Sequence, residues 1–320
     1  MEAAQSDFGL KLRIPPDTVD GVPVTNRSAM LGTGPEEPPV WRAPAAELRE
    51  QMSVDAAVRE MIRVCLIQIL GNTSAIAAGL GGYEHAHQAR VGIRKLRTVL
   101  AEFGSWCPTI EPTWRADLAA IFEVLGKARD RDVVIAGWLR VLEREGAPKV
   151  TLPPPTADDS SAVLRSVEFT QLMLSLRAYA QGEPDASRDD PKLVDVVCRS
   201  LTRLRRRSVR HADGFRRRSV DEQHDIRRRL KRLRYVADLT APLFRRKAVA
   251  RYVAALEPAQ NALGALNDLS VANDWLTGFT AIDPNAWFAV GWLRARLDTT
   301  VKACVKPLRK AERATPHWSR

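Results

Sequence analysis

One motif occurs twice in this chain, and the repeat limits the possible fold more than any other feature. His87–Arg97 reads H-x-x-R-x-x-x-R-K-L-R, and His224–Arg234, 137 residues later, reads H-x-x-R-x-x-x-K-R-L-R. A second pair follows at an offset of 138: Leu125-Gly126 with Arg129-Asp130, and Leu263-Gly264 with Asn267-Asp268. Two signals displaced by nearly one interval mark an internal duplication. The body of the chain is therefore expected to be two halves of similar plan.

On an α-helix each residue advances about 100°. With His87 at the origin, Arg90, Arg94 and Arg97 fall at about 300°, 340° and 280°. The four side chains share an arc of about 80° and span about 15 Å of the axis. Ala89, Ile93, Leu96 and Leu100 gather at about 180–240°. The cationic stripe thus borders the core-facing stripe instead of opposing it. His224, Arg227, Lys231 and Arg234 take the same angles beside Ile226, Leu230, Leu233 and Ala237. The segment before them adds Arg199, Arg203, Arg206 and Arg210 within an arc of about 60°. Three helices, each with a narrow cationic rail, are expected.

Around these motifs the apolar period is helical. It runs through Val54–Leu70, His87–Phe103, Thr113–Leu125, Asp130–Glu145 and Ser160–Ala180. It resumes through Lys192–His211, Asp221–Phe244, Ala248–Leu266, Asn267–Phe279 and Asn285–Arg313. No alternating strand appears in this body, so the expected class is all-α. Residues 181–191, rich in Asp, Pro, Gly and Ser, read as a linker between a first half at 46–180 and a second at 192–315. Residues 1–45 hold many Pro and Gly and read as a tail or linker, with one short strand at Gly9–Ile14.

Charge points the same way. The 320 residues include 49 Lys and Arg against 38 Asp and Glu, a net of +11, and 39 of the basic residues are Arg. The planar guanidinium suits bidentate contact with phosphate or carboxylate. The excess is local: Arg199–Arg251 holds 19 basic and 5 acidic residues, a net of +14, while the remainder carries 30 and 33, a net of −3. A polyanionic partner is expected at that segment. The first rail lies in the nearly neutral remainder, so net charge alone does not find it.

Several classes drop out. A hydrophobic fraction of 45% excludes wholesale disorder. No apolar run approaches about 18 residues, Val133–Leu139 being the nearest, so no membrane span is expected. The N-terminus lacks the basic start and apolar core of a secretory signal. Cys65, Cys107, Cys198 and Cys304 stand far apart, as reduced thiols of a cytosolic protein would.

A basic helix face is ordinarily a solvated one. Three features argue for more here. Like charges at i, i+3 and i+4 cost a few tenths of a kcal/mol per pair, and few acidic residues stand at i±4 to offset them. The rail adjoins the core, where neighbouring helices would crowd it into a groove. It also occurs twice. A linear polyanion in that groove would offset the repulsion, each charge-assisted contact contributing about 1.5–3 kcal/mol. His87 and His224 open the rails; contact with phosphate would hold their imidazolium form and tighten binding as pH falls through about 6–7. His85, His211 and His317 share no such pattern. Asp130, Asp132 and Asp268 follow the Leu-Gly pairs and read as N-terminal caps or partners of a rail arginine. A carboxylate–metal role is the weaker alternative, since no further ligand spacing supports it.

These residues carry a resemblance. His87–Arg97, Leu125–Val133 and His224–Tyr235 match an H-x-x-R-x-x-x-R-[RK]-L-R helix, an L-G-x-x-R-D-x-D-V segment and a second copy ending in K-R-L-R-Y. Over about residues 50–315 the chain resembles the CHAD family, the conserved histidine α-helical domain. The resemblance implies two four-helix bundles related by pseudo-twofold symmetry, with a basic channel between them that binds inorganic polyphosphate. It implies that His87, Arg90, Arg94, Arg97, His224, Arg227, Lys231 and Arg234 line that channel. Lys95, Arg199, Arg203, Arg206, Arg210 and Arg228 form a wider candidate set. Members are found with polyphosphate granules, so a cytoplasmic location at granules and granule-associated protein partners are expected. Many are fused to a CYTH triphosphatase domain. Such a domain begins E-x-E-x-K, whereas the nearest feature here is Asp7-x-Gly9-x-Lys11, and fewer than 50 residues precede the helical body. Triphosphatase activity is therefore not carried over. In the second copy Asn267-Asp268 stands in place of Arg-Asp.

The expected function is non-catalytic binding of polyphosphate, with no cofactor and no metal. Two other classes stay open. A nucleic acid would also be drawn to the +14 segment, although Tyr235 is the only aromatic inside either motif and base stacking needs such platforms. A histidine phosphotransfer or polyphosphate-processing enzyme would use His87, whose surroundings resemble a phosphotransfer helix, but no partner acid is evident.

Overall fold

The computed structural model describes residues 18–19, 22–23, 38–151, 160–185, 191–209, 212 and 214–319, without the side chains of 18–19, 22–23 and 127–136. In the unit Met1–Glu37, β1 (Thr18–Val19) and β2 (Val22–Pro23) pair antiparallel. The strand expected at Gly9–Ile14 lies outside the described residues. From Pro38 onward the regular elements among the described residues are all helical.

Helix α1 (Val54–Ala77) starts where the Ser53 hydroxyl accepts the Ala56 N–H at 3.1 Å. It packs along α2 (Tyr83–Phe103), and Gly92 permits the close approach: a Cβ there would stand 2.7 Å from Ile69 Cγ1. At the start of α2 the His85 Nδ1 accepts the Gly82 N–H at 3.1 Å, and Nε2 lies 3.0 Å from the Pro38 carbonyl. This buried histidine fastens the incoming chain.

Helix α3 (Trp114–Val133) continues through a π-helical stretch, Val134–Leu139, into α4 (Arg140–Arg144). The reading of two helices, Thr113–Leu125 and Asp130–Glu145, is thus corrected. Gly126 does not end a helix, and the backbone at Asp130 and Asp132 is helix interior, so neither is an N-terminal cap. The single helix expected over Ser160–Ala180 is instead two, α5 (Ser160–Leu164) and α6 (Val167–Gln181), because Ser166 caps the second through the Phe169 N–H at 3.1 Å. Next come α7 (Leu193–Ser208) and α8 (Val220–Leu239), the latter opened by a reciprocal capping box between Ser219 and Glu222. Helix α9 (Arg246–Phe279) runs unbroken for 34 residues where two helices were expected. Asp268 therefore caps nothing either. Helix α10 (Ala286–Arg313) packs back along α9.

The apolar flanks of the rails go where helical phase sends them. Ala89, Ile93, Leu96 and Leu100 on α2 and Ile226, Leu230, Leu233 and Ala237 on α8 are all buried. One core joins α1–α3 and α5–α8 with the N-terminal part of α9 and the C-terminal end of α10. A smaller core packs Leu269, Leu276, Val290 and Leu293 against Trp138 and Leu142. Helices α2 and α8 touch directly.

The chain leaving α6 is anchored by a buried polar network. Asp55, 3% exposed, accepts from the Tyr179 hydroxyl, from Arg59 Nε at 2.7 Å and from the Asp185 N–H at 2.9 Å. The Arg59 guanidinium lies 4.0 Å above the Tyr179 ring. Burial alone would raise the Asp55 pKa; the hydrogen bonds outweigh it and lower the value.

Candidate functional site

The first rail gathers around the Phe122 ring of α3. Arg90, Arg94 and Arg97 place their guanidinium carbons 4.3, 4.7 and 6.0 Å from its centroid. Arg90 is 5% exposed, and its Nη1 donates to the Leu125 carbonyl at 3.3 Å. A Cβ on Gly126 would stand 2.6 Å from that same nitrogen. The rail thus accounts for the Leu-Gly pair: Leu125 supplies an acceptor and Gly126 supplies room. At Gly264, its counterpart, an added Cβ meets nothing within 4 Å among the described residues. His87 is half-buried, its ring nearly parallel to that of Tyr83 with centroids 6.5 Å apart. Lys95 Nζ donates to Gln68 Oε1 at 3.3 Å.

Arg97 is where the charge concentrates. Burial lowers its pKa, and the positive fields of Arg232, Arg115 and Arg94 lower it further, with Glu123 opposing. Arg232 comes from α8 and Arg115 from α3, so three helices direct positive charge at one guanidinium. Among the described residues neither Arg94 nor Arg97 makes an ion pair. A guanidinium stays protonated in proteins. The lowering therefore reflects burial first and the surrounding positive potential second, and a bound anion would relieve the second.

On α8 the balance differs. Arg234 Nε donates to the Asp238 carboxylate at 2.9 and 3.0 Å, and Nη1 donates to Gln260 Oε1 at 3.3 Å. Burial raises the Asp238 pKa against the pull of Arg234 and of Lys95 on α2. Arg227 and Lys231 are half-buried. His224 is half-buried too; burial, then Arg228 and Arg227, lower its pKa, while Asp225 and Asp221 oppose. Its protonation therefore begins below the ordinary histidine range, lower than the rail pattern alone implies.

The wider set is dispersed. Arg203 donates at 2.6 Å to Glu102, which also accepts the Ser200 hydroxyl at 2.7 Å. The Arg199 guanidinium lies 5.5 Å from the Trp106 ring, Arg206 is exposed, and Arg228 pairs with Asp225. Arg210 and His211 lie outside the described residues. Among the described residues no hydrogen bond, ion pair or ring contact joins Arg199, Arg203, Arg206 or Arg228 to the cluster around Phe122.

Sequence reasoning did not single out Phe122, Arg115 or Arg232. Arg232 carries a signal, since at the 137-residue offset it is the counterpart of Lys95. Phe122 and Arg115 belong to neither motif; the packing of α3 on α2 brings them in.

Other chemistry is sparse among the described residues. No group of three His, Cys, Asp or Glu side chains there could hold a metal ion, the side chains of Asp130 and Asp132 not being among them. The cysteines are free, and burial pushes the thiols of Cys65, Cys107 and Cys304 up to about 12. His317 sits among the rings of Phe244, Tyr252 and Trp318, and burial lowers its pKa to about 4. No described helix is long and apolar enough to cross a membrane.

Known proteins share this architecture. The crystal structure of the CHAD domain from the plant Ricinus communis aligns with a TM-score of 0.70, covering 87% of this chain and 97% of that one at 24% identity. That likeness shows the all-helical fold. The uncharacterized protein Rv2226 of Mycobacterium tuberculosis H37Rv is 27% identical over an alignment of 231 residues that covers 66% of this chain and 41% of that protein. The uncharacterized protein MT2285 of strain CDC 1551 matches to the same extent. The chain thus spans about two fifths of the length of these curated relatives. Residues 60–277, with both rails and Phe122 inside them, match the CHAD domain. With more than half of its length in that match, the chain belongs to the CHAD family.

Proposed function

We propose that this protein binds inorganic polyphosphate without catalysing a reaction, at the cluster of Arg94, Arg97, Arg115 and Arg232 and along the two rails that lead to it. The observation that carries this reading is Arg97, which shares the Phe122 ring with Arg90 and Arg94, feels cations from α2, α3 and α8 with Glu123 alone opposing them, and makes no ion pair among the described residues. Polyphosphate presents a negative charge at every unit, and each guanidinium–phosphate contact contributes about 1.5–3 kcal/mol.

The repeat supports a wider plan of two four-helix bundles related by a pseudo-twofold axis, with the rails lining a basic channel between them. Arg97 feels Arg232, the counterpart of Lys95; Asp238, the partner of Arg234, feels Lys95. Arg234 is itself the counterpart of Arg97. Each motif thus presents its end to the other, as a twofold arrangement requires. Residence at polyphosphate granules in the cytoplasm, beside granule-associated proteins, follows from such binding.

A nucleic acid is the second reading. The Phe122 ring, which could otherwise stack a base, is occupied by three arginines, and this favours phosphate over base recognition. A competition assay separates the two. Long-chain polyphosphate is expected to displace single-stranded RNA at equal phosphate concentration; RNA displacing polyphosphate would refute the reading.

A further inference from the structure

The two rails are built from one motif, yet they are not electrically equivalent. On α2, Arg97 has no ion pair among the described residues and stands among Arg94, Arg115 and Arg232. On α8 its counterpart, Arg234, is held by both oxygens of Asp238 and by Gln260. The difference is written in the residues at matching places. At the 137-residue offset Asp238 corresponds to Ala101, and at the 138-residue offset of the Leu-Gly pairs Gln260 corresponds to Phe122. One copy therefore offers its terminal arginine an aromatic ring and, among the described residues, no hydrogen-bonded carboxylate, Glu123 acting only through its field. The other offers a carboxylate and an amide. Asp225 extends the contrast: it pairs with Arg228 and lies 3.5 Å from Arg229, whereas the first copy has Gln88 at that place.

We propose that Asp238 is an intramolecular competitor of the polyanion, withdrawing Arg234 from the site so that the ligand is anchored on α2 and on Arg232, and setting the affinity below what the duplicated motif could reach. This rests on the polyphosphate reading and specifies how that site is divided. The carboxylate acts in two ways. It occupies the Arg234 hydrogen-bond donors that phosphate would use, and it places a negative charge beside the path of a polyanion. Lys95, whose field reaches Asp238 from α2, is partly offset by the same charge. Arg234 is 30% exposed and Asp238 38% exposed in their side chains, so the pair can open without unpacking the core.

The test measures the affinity of the full chain for long-chain polyphosphate and the salt dependence of that affinity. Asp238→Asn and Asp238→Ala, the latter installing the residue of the first copy, are expected to bind about three- to tenfold tighter. Their plots of log affinity against log salt should steepen by about 0.7–0.9, as one recovered phosphate contact requires. Arg234→Gln should cost clearly less than Arg97→Gln in the wild-type background and cancel the gain in the Asp238 variants. Ala101→Asp, which sets a carboxylate four residues after Arg97, should weaken binding several-fold. Asp238 variants with wild-type affinity and slope and an unchanged melting temperature would overturn the proposal, as would Arg234→Gln costing as much as Arg97→Gln. A wild-type protein that does not bind polyphosphate refutes the functional reading itself; binding wild type with silent Asp238 variants refutes only this division of the site.

Discussion

Gly126 and Gly264 occupy corresponding places in the two copies, yet a methyl group added to each meets opposite surroundings. At Gly126 it would press on the guanidinium of Arg90, which is buried and tied to Leu125 and Phe122; at Gly264 it meets nothing within 4 Å among the described residues. Gly126→Ala is therefore expected to destabilise by about 1–2 kcal/mol, since overpacking costs more than the roughly 1 kcal/mol that alanine gains over glycine in a helix. Gly264→Ala should stabilise by up to about 1 kcal/mol. Chemical denaturation reads both, and equal effects would contradict the role given to Gly126. His317 makes a second claim at this scale. Both ring nitrogens are buried with no hydrogen-bond partner among the described residues, and burial lowers the pKa to about 4. The unfolded chain, with a histidine value of about 6.5, binds the proton more tightly. Stability from this residue is thus intact above about pH 6.5 and declines as pH falls toward 4. His317→Phe should flatten that part of the melting-temperature profile; an unchanged slope would contradict it.

At the scale of elements, Asp55 links α1, α6 and the chain that leaves α6. Asp55→Ala leaves Arg59 buried without its carboxylate, and a cost of about 3–5 kcal/mol is expected in denaturant unfolding. A loss below about 1 kcal/mol would mean that the network is incidental. Element identity was largely legible in the sequence, because the apolar phase of α2 and α8 names the residues that are buried. Boundaries were legible only where local chemistry sets them, as Ser53 and Ser219 do. Gly126 misled because glycine near a helical pattern looks like a stop signal, whereas here it makes space for a side chain from another helix. The cap reading of Asp130, Asp132 and Asp268 fails by the same error, because all three stand inside helices. The break at Ser166 was missed because the apolar period runs through it unchanged.

For the whole molecule, the decisive feature is the meeting of α2 and α8 with α3 beside them. The duplicated rails announced that two surfaces of like charge exist. They did not announce that Arg115 and Phe122 complete one of them, because that packing joins residues without a shared motif; Asp238, four residues after Arg234 on the same helix, stood at a legible spacing but is an isolated acid outside the motif. His224 adds a pH term. Its pKa is lowered in the free protein, and a bound polyanion would favour the imidazolium form, so binding should tighten as pH drops below the ordinary histidine range. The central claim is that the cationic cluster at Arg97 is a polyanion site. The direct measurement is the affinity for long-chain polyphosphate across a salt series. Four cations at about 0.7 each predict a slope of about −3 in log affinity against log salt, falling to about half of that in the Arg94→Gln/Arg97→Gln double variant. Binding that is absent or indifferent to salt, or a double variant with wild-type affinity and slope, would contradict the account.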